Sequence, residues 1–287
     1  METVMNVNQL CKRFKNFRLK AIDFQIKKGT ITGFVGPNGS GKTTTIKCLL
    51  NLIHPDSGSI TILGLDSIRQ EREIKDQLGI VLDVGYYYED LTFNEMKKLI
   101  VPIYSAWDDK TYQDYLQKFD LPADRKIKDL SKGMRMKYSI LLAISHHAKL
   151  FIMDEPTSGL DPLVRSDLVD ILKDLIQDGE KSVFFSTHIT SDLDKVADDL
   201  IFLLDGQIFL HGEKDEIKNH HIIVKGSNEL LNEDIEKYFI GIHKTPYGME
   251  GLSNDRAAVK RLLKDNAAYE VPTIEDLLLY YTRRRIK

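Results

Sequence analysis

The chain has 287 residues, 42% of them hydrophobic and 29% charged, enough for one large domain or two smaller ones with a buried core. Its formal net charge of -3 argues against a general nucleic-acid binder, whose affinity for phosphate rests on clustered lysine and arginine. Two cysteines, Cys11 and Cys48, give no disulfide framework, fit a reducing compartment and sit in no metal-ligand spacing.

The opening "METVMNVNQL" has no basic region leading into an apolar run, so nothing in it resembles a signal peptide. Every apolar stretch breaks off before membrane-spanning length. The basic runs "CKRFKNFRLK" and "YYTRRRIK" read as solvated faces or tails. "AIDFQI" and "GTITGFVG" concentrate β-branched and aromatic residues and predict strands. "KTTTIKCLLNLI" predicts a helix with Ile46, Leu49, Leu50 and Ile53 on its apolar stripe, ended by "HPDSG" because Pro55 cannot continue the hydrogen-bond ladder. "SITILG" is a further strand. From Glu71 to about His147 the composition turns helical, in "TFNEMKKLIVPIYSAW", "DKTYQDYLQKFD" and "SKGMRMKYSILLAISHH".

Strand and helix then alternate through "AKLFIMDE", "DLVDILKDLIQDG", "KSVFFSTH" and "SDLDKVADDLIFLLDG". The continuous apolar runs "LFIM" and "VFFS" fit parallel strands covered on both faces by helices. The picture is an α/β core with a helical insertion at about residues 86–147. Beyond "GQIFLHGEKDEI", the segments "HHIIVKG", "NEDIEKYF", "AAVKRLLKD" and "IEDLLLYYTRR" predict a small α+β extension from about His220.

"GPNGSGKTT" fits the phosphate-loop pattern and has its context, a strand before and a helix after. The nucleotide-holding stretch is Gly36, Pro37, Asn38, Gly39, Ser40, Gly41, Lys42, Thr43 and Thr44. Glycines at 36, 39 and 41 let the loop curl so that backbone N–H groups converge on an anion, and the helix dipole points there too. Lys42 can reach the β- and γ-phosphates of ATP, and Thr43 can place its hydroxyl on Mg²⁺. A merely structural glycine turn needs neither the lysine nor the hydroxyl.

"LFIMDE" delivers Asp154 and Glu155 to the C-terminal end of a strand, where open parallel sheets place ligands. Successive side chains diverge, so Asp154 suits the metal or its water and Glu155 the attacking water. "STH" puts His188 at an equivalent edge, where a neutral imidazole can donate to a γ-phosphate oxygen or orient a water.

These pieces, in this order, resemble the nucleotide-binding subunit of ATP-binding cassette (ABC) transporters over residues 1–218, which leaves 219–287 as a C-terminal accessory domain. The resemblance implies a P-loop ATPase core with a helical subdomain, ATP and Mg²⁺ as cofactors, and Glu155, His188 and Lys42 as catalytic residues. In that family a signature turn of one subunit closes over ATP held by another. Here that turn is "LSKGM", in which Ser131 and Gly133 keep the family residues while Lys132 and Met134 depart from them. "SGLD" resembles the loop that crosses the dimer interface, with Asp161 its main residue. Phe14 in "CKRF" matches the aromatic residue that stacks on adenine, with Phe17 the fallback. Asp83 stands closest to the family's metal- and water-sensing glutamine, and the tyrosines 86–88 lie just beyond it, where the family receives a permease helix.

The tail "PTIEDLLLYY" resembles the extension of exporters whose ATPase and permease are separate chains (the ABC-2 type). The resemblance thus implies an ATPase subunit at the cytoplasmic face of the membrane, paired with a second ATPase chain and a multi-spanning permease. It further implies export of a peptide, a drug-like compound or a lipid, and no direct nucleic-acid partner. A soluble ABC-type ATPase of nucleic-acid or translation work is a rival, weighed against by single copies of each motif and the mildly acidic balance. A regulatory module that binds ATP without turnover is another, weighed against by the complete "MDEP" and "STH" elements.

Overall fold

A computed structural model describes residues 2–82 and 87–286, the side chains of 284–286 excepted. Asp83 and Tyr86, singled out above, lie outside the described residues.

The first strands, β1 (Thr3–Arg13) and β2 (Arg18–Lys27), form an antiparallel hairpin. The basic run "CKRFKNFRLK" is therefore the end of one strand, a turn and the start of the next, not a tail. β3 (Ile31–Val35) leads into α1 (Lys42–Leu49). The helix stops earlier than Pro55 predicts, because Asn51 adopts the left-handed conformation at φ 55° just past its end. β4 (Ser57–Ile62) and β5 (Leu65–Asp66) extend the hairpin into a four-stranded sheet, β2-β1-β4-β5.

After α2 (Glu71–Lys75) and β6 (Leu78–Val81) comes the helical insertion: α3 (Phe93–Ile100), α4 (Asp109–Lys118) and α5 (Lys132–Ser145). Thr92 and Glu95 close a reciprocal capping box on α3, and the Asp108 carboxylate caps α4. The alternation resumes with β7 (Leu150–Asp154), α6 (Pro162–Ile176), β8 (Ser182–Thr187), α7 (Thr190–Val196), β9 (Asp199–Leu204) and β10 (Gln207–Glu213).

These strands form one six-stranded sheet, ordered β10-β9-β3-β8-β7-β6, parallel except for β10. Its two faces are buried in different cores, as the period-two geometry of strands demands. Phe34, Ile152, Phe184 and Ile201 face the small sheet and α1, where Phe24, Phe34 and Phe184 cluster with ring centroids 5.3–6.0 Å apart. Ile31, Val35, Phe151, Met153, Val183 and Phe185 face the insertion helices, α6 and α7. Gly33 lets α7 come close: a Cβ there would lie 2.3 Å from Leu193 Cδ2.

α8 (Lys214–His220) leads to a unit built from β11 (Ile222–Gly226), α9 (Glu233–Glu236), β12 (Phe239–Thr245), β13 (Gly248–Ser253), α10 (Arg256–Leu263) and β14 (Ala267–Glu270). Its sheet runs β12-β13-β11-β14, antiparallel throughout, which is the split βαβ pattern of a βαββαβ fold. Val259 and Leu263 of α10 cover one face. The other is covered by α11 (Ile274–Ile286), whose Ile274, Leu277 and Tyr280 share one core with Ile223, Ile240, Leu252 and with Leu193 and Val196 of α7. Among the described residues no helix is long and apolar enough to cross a membrane.

Candidate functional site

The loop 36–41 leaves the C-terminal end of β3 and turns into α1. Gly39 and Gly41 hold φ 80° and 113°, which a side chain would strain, and a Cβ on Gly36 would sit 2.3 Å from the Leu203 carbonyl. Lys42 is buried, and its ammonium donates to the Gly36 carbonyl at 2.8 Å and lies 3.4 Å from that of Pro37. The lysine thus folds back across the loop that carries it. Thr43 is exposed at the first turn and Thr44 half-buried, while the Thr45 hydroxyl donates back to the Gly41 carbonyl at 3.0 Å.

β7 and β8 lie side by side, with Asp154 in register with Ser186. The Ser186 hydroxyl donates to Asp154 Oδ1 at 2.5 Å and accepts from the Glu155 N–H at 3.1 Å. One buried hydroxyl therefore fixes both carboxylate residues. Glu155 turns out of the strand at φ 51°, a left-handed backbone that is uncommon for a residue other than glycine, asparagine or aspartate. Its Oε1 lies 3.2 Å from Lys42 Nζ; its Oε2 accepts from His188 Nδ1 at 2.8 Å and from the His188 N–H at 3.3 Å. With Nδ1 donating, His188 is held in one tautomer and leaves Nε2 free of that carboxylate. Lys42, Asp154, Glu155 and His188 come together from three separate stretches of sequence. Ser186 was not singled out from sequence; its only signal is a hydroxyl directly before "TH" on an otherwise apolar strand.

Ser131, Gly133 and Asp161 stand outside that group, at the N-terminal ends of α5 and α6. Ser131 caps α5 by accepting from the Met134 N–H at 3.2 Å, and Asp161 caps α6 through the N–H groups of Leu163 and Val164, each 3.1 Å away. A Cβ on Gly133 would lie 2.5 Å from Val164 Cγ1, and one on Gly159 3.6 Å from Lys132 Nζ, so the two helix starts touch. Ser131, Gly159 and Asp161 are exposed, and Leu163 is 79% exposed beside them.

Phe14 is half-exposed at the β1–β2 turn, whose backbone closes by a bond from the Phe14 N–H to the Phe17 carbonyl at 2.7 Å. Arg13, Phe14, Phe17, Lys20 and Asp205 are among the residues lining a cavity of about 450 Å³ there. Phe17 is instead half-buried, packed against the loop at Gly41. Of the tyrosine run, Tyr87 is packed with its hydroxyl 2.6 Å from Ser139 Oγ, and Tyr88 is 68% exposed.

The cradle fits a phosphate chain. Ser40 Oγ is buried with no protein partner, a Cβ on Gly39 would meet nothing within 4 Å, and the α1 N-terminus has no side-chain cap. No three His, Cys, Asp or Glu side chains among the described residues gather into a metal cage. Mg²⁺ takes most of its oxygens from phosphates and water, and Thr43 and Asp154 are the protein groups that would add to them here.

The protein-family model described as ABC transporter matches residues 19–158. The chain is 30% identical over 224 residues to the bacitracin transport ATP-binding protein BcrA of Bacillus licheniformis, covering 77% of this chain and 73% of that one. It is 32% identical over 210 residues to the ABC transporter ATP-binding protein YdbJ of Bacillus subtilis, covering 72% and 68%. A solved ATP-binding subunit of an ABC transporter superposes with a TM-score of 0.68 at 26% identity, over 75% of this chain and 92% of that one. The chain belongs to the ATP-binding proteins of ABC transporters and is a Mg²⁺-dependent ATPase.

Proposed function

We propose that this ATPase is a peripheral subunit that pairs head to tail with a second ATPase chain and drives a separate multi-spanning permease. The observation that carries the reading is the convergence of Lys42, His188 and the Asp154–Ser186 pair on Glu155, with Ser131 exposed elsewhere and Gly133 buried beside it against Val164. Each half carries what the other half lacks, so two copies, or two similar chains, complete two sites.

In this reading Lys42 and the loop N–H groups hold the phosphates, and Phe14 stacks on the base. Glu155 takes the proton of the attacking water, and His188, oriented by Glu155, donates to a γ-phosphate oxygen. Mg²⁺, when bound by Thr43 and Asp154, neutralises charge on the phosphate oxygens. Ser131 and Gly133 of the partner contact the γ-phosphate, and Asp161 lies at the shared face, where exposed Leu163 supplies apolar area. Residues 1–218 form the ATP-hydrolysing part and 219–287 the accessory domain.

A groove of about 590 Å³ between α2 and the segment after α3, lined by Ile68, Arg72, Pro102, Ile103 and Tyr104, suits a permease helix with an apolar face and a polar rim. Ile68 and Ile103 are 59% and 68% exposed there. The relative named for bacitracin transport supports a peptide or drug-like compound as cargo over a lipid, and export rests on the likeness of the tail "PTIEDLLLYY". The test is affinity purification of the tagged chain from native membranes. A co-purifying multi-spanning protein is expected; a ribosome or DNA complex without one overturns the reading.

A further inference from the structure

The phosphate loop is held in shape by two elements outside it. The Ser40 carbonyl accepts from the Gly206 N–H at 2.9 Å, and Gly206 belongs to the Asp205–Gly206 turn between β9 and β10. A trans peptide is planar, with its carbonyl and N–H on opposite sides. Tying the Ser40 carbonyl to Gly206 therefore aims the Gly41 N–H the other way, away from that turn.

The turn is itself pinned. The Gly206 carbonyl accepts from the Lys20 N–H at 2.8 Å, Gly206 holds φ 72°, and a Cβ there would lie 1.9 Å from the Arg18 carbonyl oxygen. The β1–β2 turn and the start of β2 then press on the loop directly. A Cβ on Gly41 would lie 2.6 Å from Phe17 Cζ and 2.7 Å from Leu19 Cδ2. Phe17 also closes the β1–β2 turn by accepting the Phe14 N–H on its carbonyl. The loop is thus clamped between an aromatic ring from the β1–β2 turn and a backbone donor from the β9–β10 turn.

We propose that Phe17 and Gly206 are positioning residues for ATP: they set the direction of the Gly41 N–H and the curvature of the cradle before the nucleotide arrives. Phe17 then does not stack on the base. The inference rests on the reading of loop 36–44 as the phosphate site. Pre-aimed donors spare binding the cost of ordering them, so the clamp acts on affinity and leaves the chemical step to Lys42, Glu155 and His188.

The test uses the full chain as Phe17→Leu, Phe17→Ala and Gly206→Ala, with Leu263→Ala in the C-terminal unit as a comparison for general destabilisation. Dissociation constants for ATP and for pyrophosphate, KM, kcat and thermal midpoint are measured for each. Phe17→Ala and Gly206→Ala are expected to weaken ATP and pyrophosphate alike by about tenfold, with kcat at saturation within about twofold of the parent and Phe17→Leu intermediate. Leu263→Ala is expected to lower the midpoint and leave both affinities unchanged. Unchanged pyrophosphate affinity in Phe17→Ala and Gly206→Ala overturns the clamp, as does a loss for ATP alone, which marks Phe17 as a base-stacking residue. If Gly206→Ala does not fold, the two Phe17 variants decide. Absence of ATP and pyrophosphate binding in the parent chain would overturn the phosphate-site reading itself, a separate outcome.

Discussion

Glu155 holds Lys42 on one carboxylate oxygen and His188 on the other, from a left-handed backbone that points it out of its strand. Glu155→Gln keeps the shape and removes the base. Turnover should fall by about 10²–10⁴-fold while ATP still binds, read by steady-state phosphate release beside equilibrium nucleotide binding; normal turnover would sink the assignment. Ser186→Ala leaves Asp154 Oδ1 without its donor in a nearly dry site, whereas the Glu155 N–H keeps the Ser186 carbonyl at 3.1 Å. The change should shift the Mg²⁺ requirement of the ATPase upward and cost about 1–3 kcal/mol of stability. An unaltered Mg²⁺ titration would show that Asp154 needs no such support. Lys42, Asp154, Glu155 and His188 were legible in the sequence because each lies in an unbroken motif whose chemistry is local. Ser186 and Gly206 were not: both act through a neighbour that strand register, not chain order, puts beside them.

At the scale of elements, α7 connects the site to the rest of the molecule, since it begins two residues after His188 and packs on Gly33 of β3. Gly33→Ala puts a methyl where Leu193 already sits. It should destabilise the chain by about 1–3 kcal/mol and lower turnover more than ATP affinity, because α7 and the His188 segment must shift; denaturant unfolding and kcat measured together check this. The α8–α11 contact has its own pH signature. His221 donates from Nδ1 to the Ile217 carbonyl at 2.8 Å and accepts the Tyr281 hydroxyl on Nε2 at 2.9 Å, and burial holds its pKa below the ordinary histidine value. The unfolded chain therefore binds the proton more readily than the folded one, so stability is present above the unfolded pKa of about 6.5 and is lost as pH falls below it. Buried His146 shifts the same way for the same reason. Unfolding free energy should drop between pH 7 and 5, and His221→Gln should flatten part of that slope. Two helix starts carry a local signal, the capping side chains of Ser131 and Asp161. The end of α1 does not, because a left-handed Asn51 stops the helix before Pro55 has any say.

For the whole molecule, the head-to-tail reading predicts that Glu155→Gln with Mg²⁺ and ATP elutes as a dimer, and that adding Ser131→Arg returns it to a monomer; a monomeric Glu155→Gln under saturating ATP would count against shared sites. The α/β core with its helical insertion was legible because parallel strands buried on both faces appear as continuous apolar runs. The order of the C-terminal strands was not, since β11 finds its two neighbours, β13 and β14, far along the chain and no local signal names them. α11 seals that sheet from the side of the catalytic core, and this makes the smallest working ATPase something other than a plain truncation of the chain. A chain cut just before Ile274 keeps every residue of the ATP site, yet it turns Ile223, Ile240 and Leu252 towards water and strips α7 of a neighbour. Such a fragment should self-associate, so anyone shortening this protein has to discard the whole βαββαβ unit and resurface α7 and β10 as well.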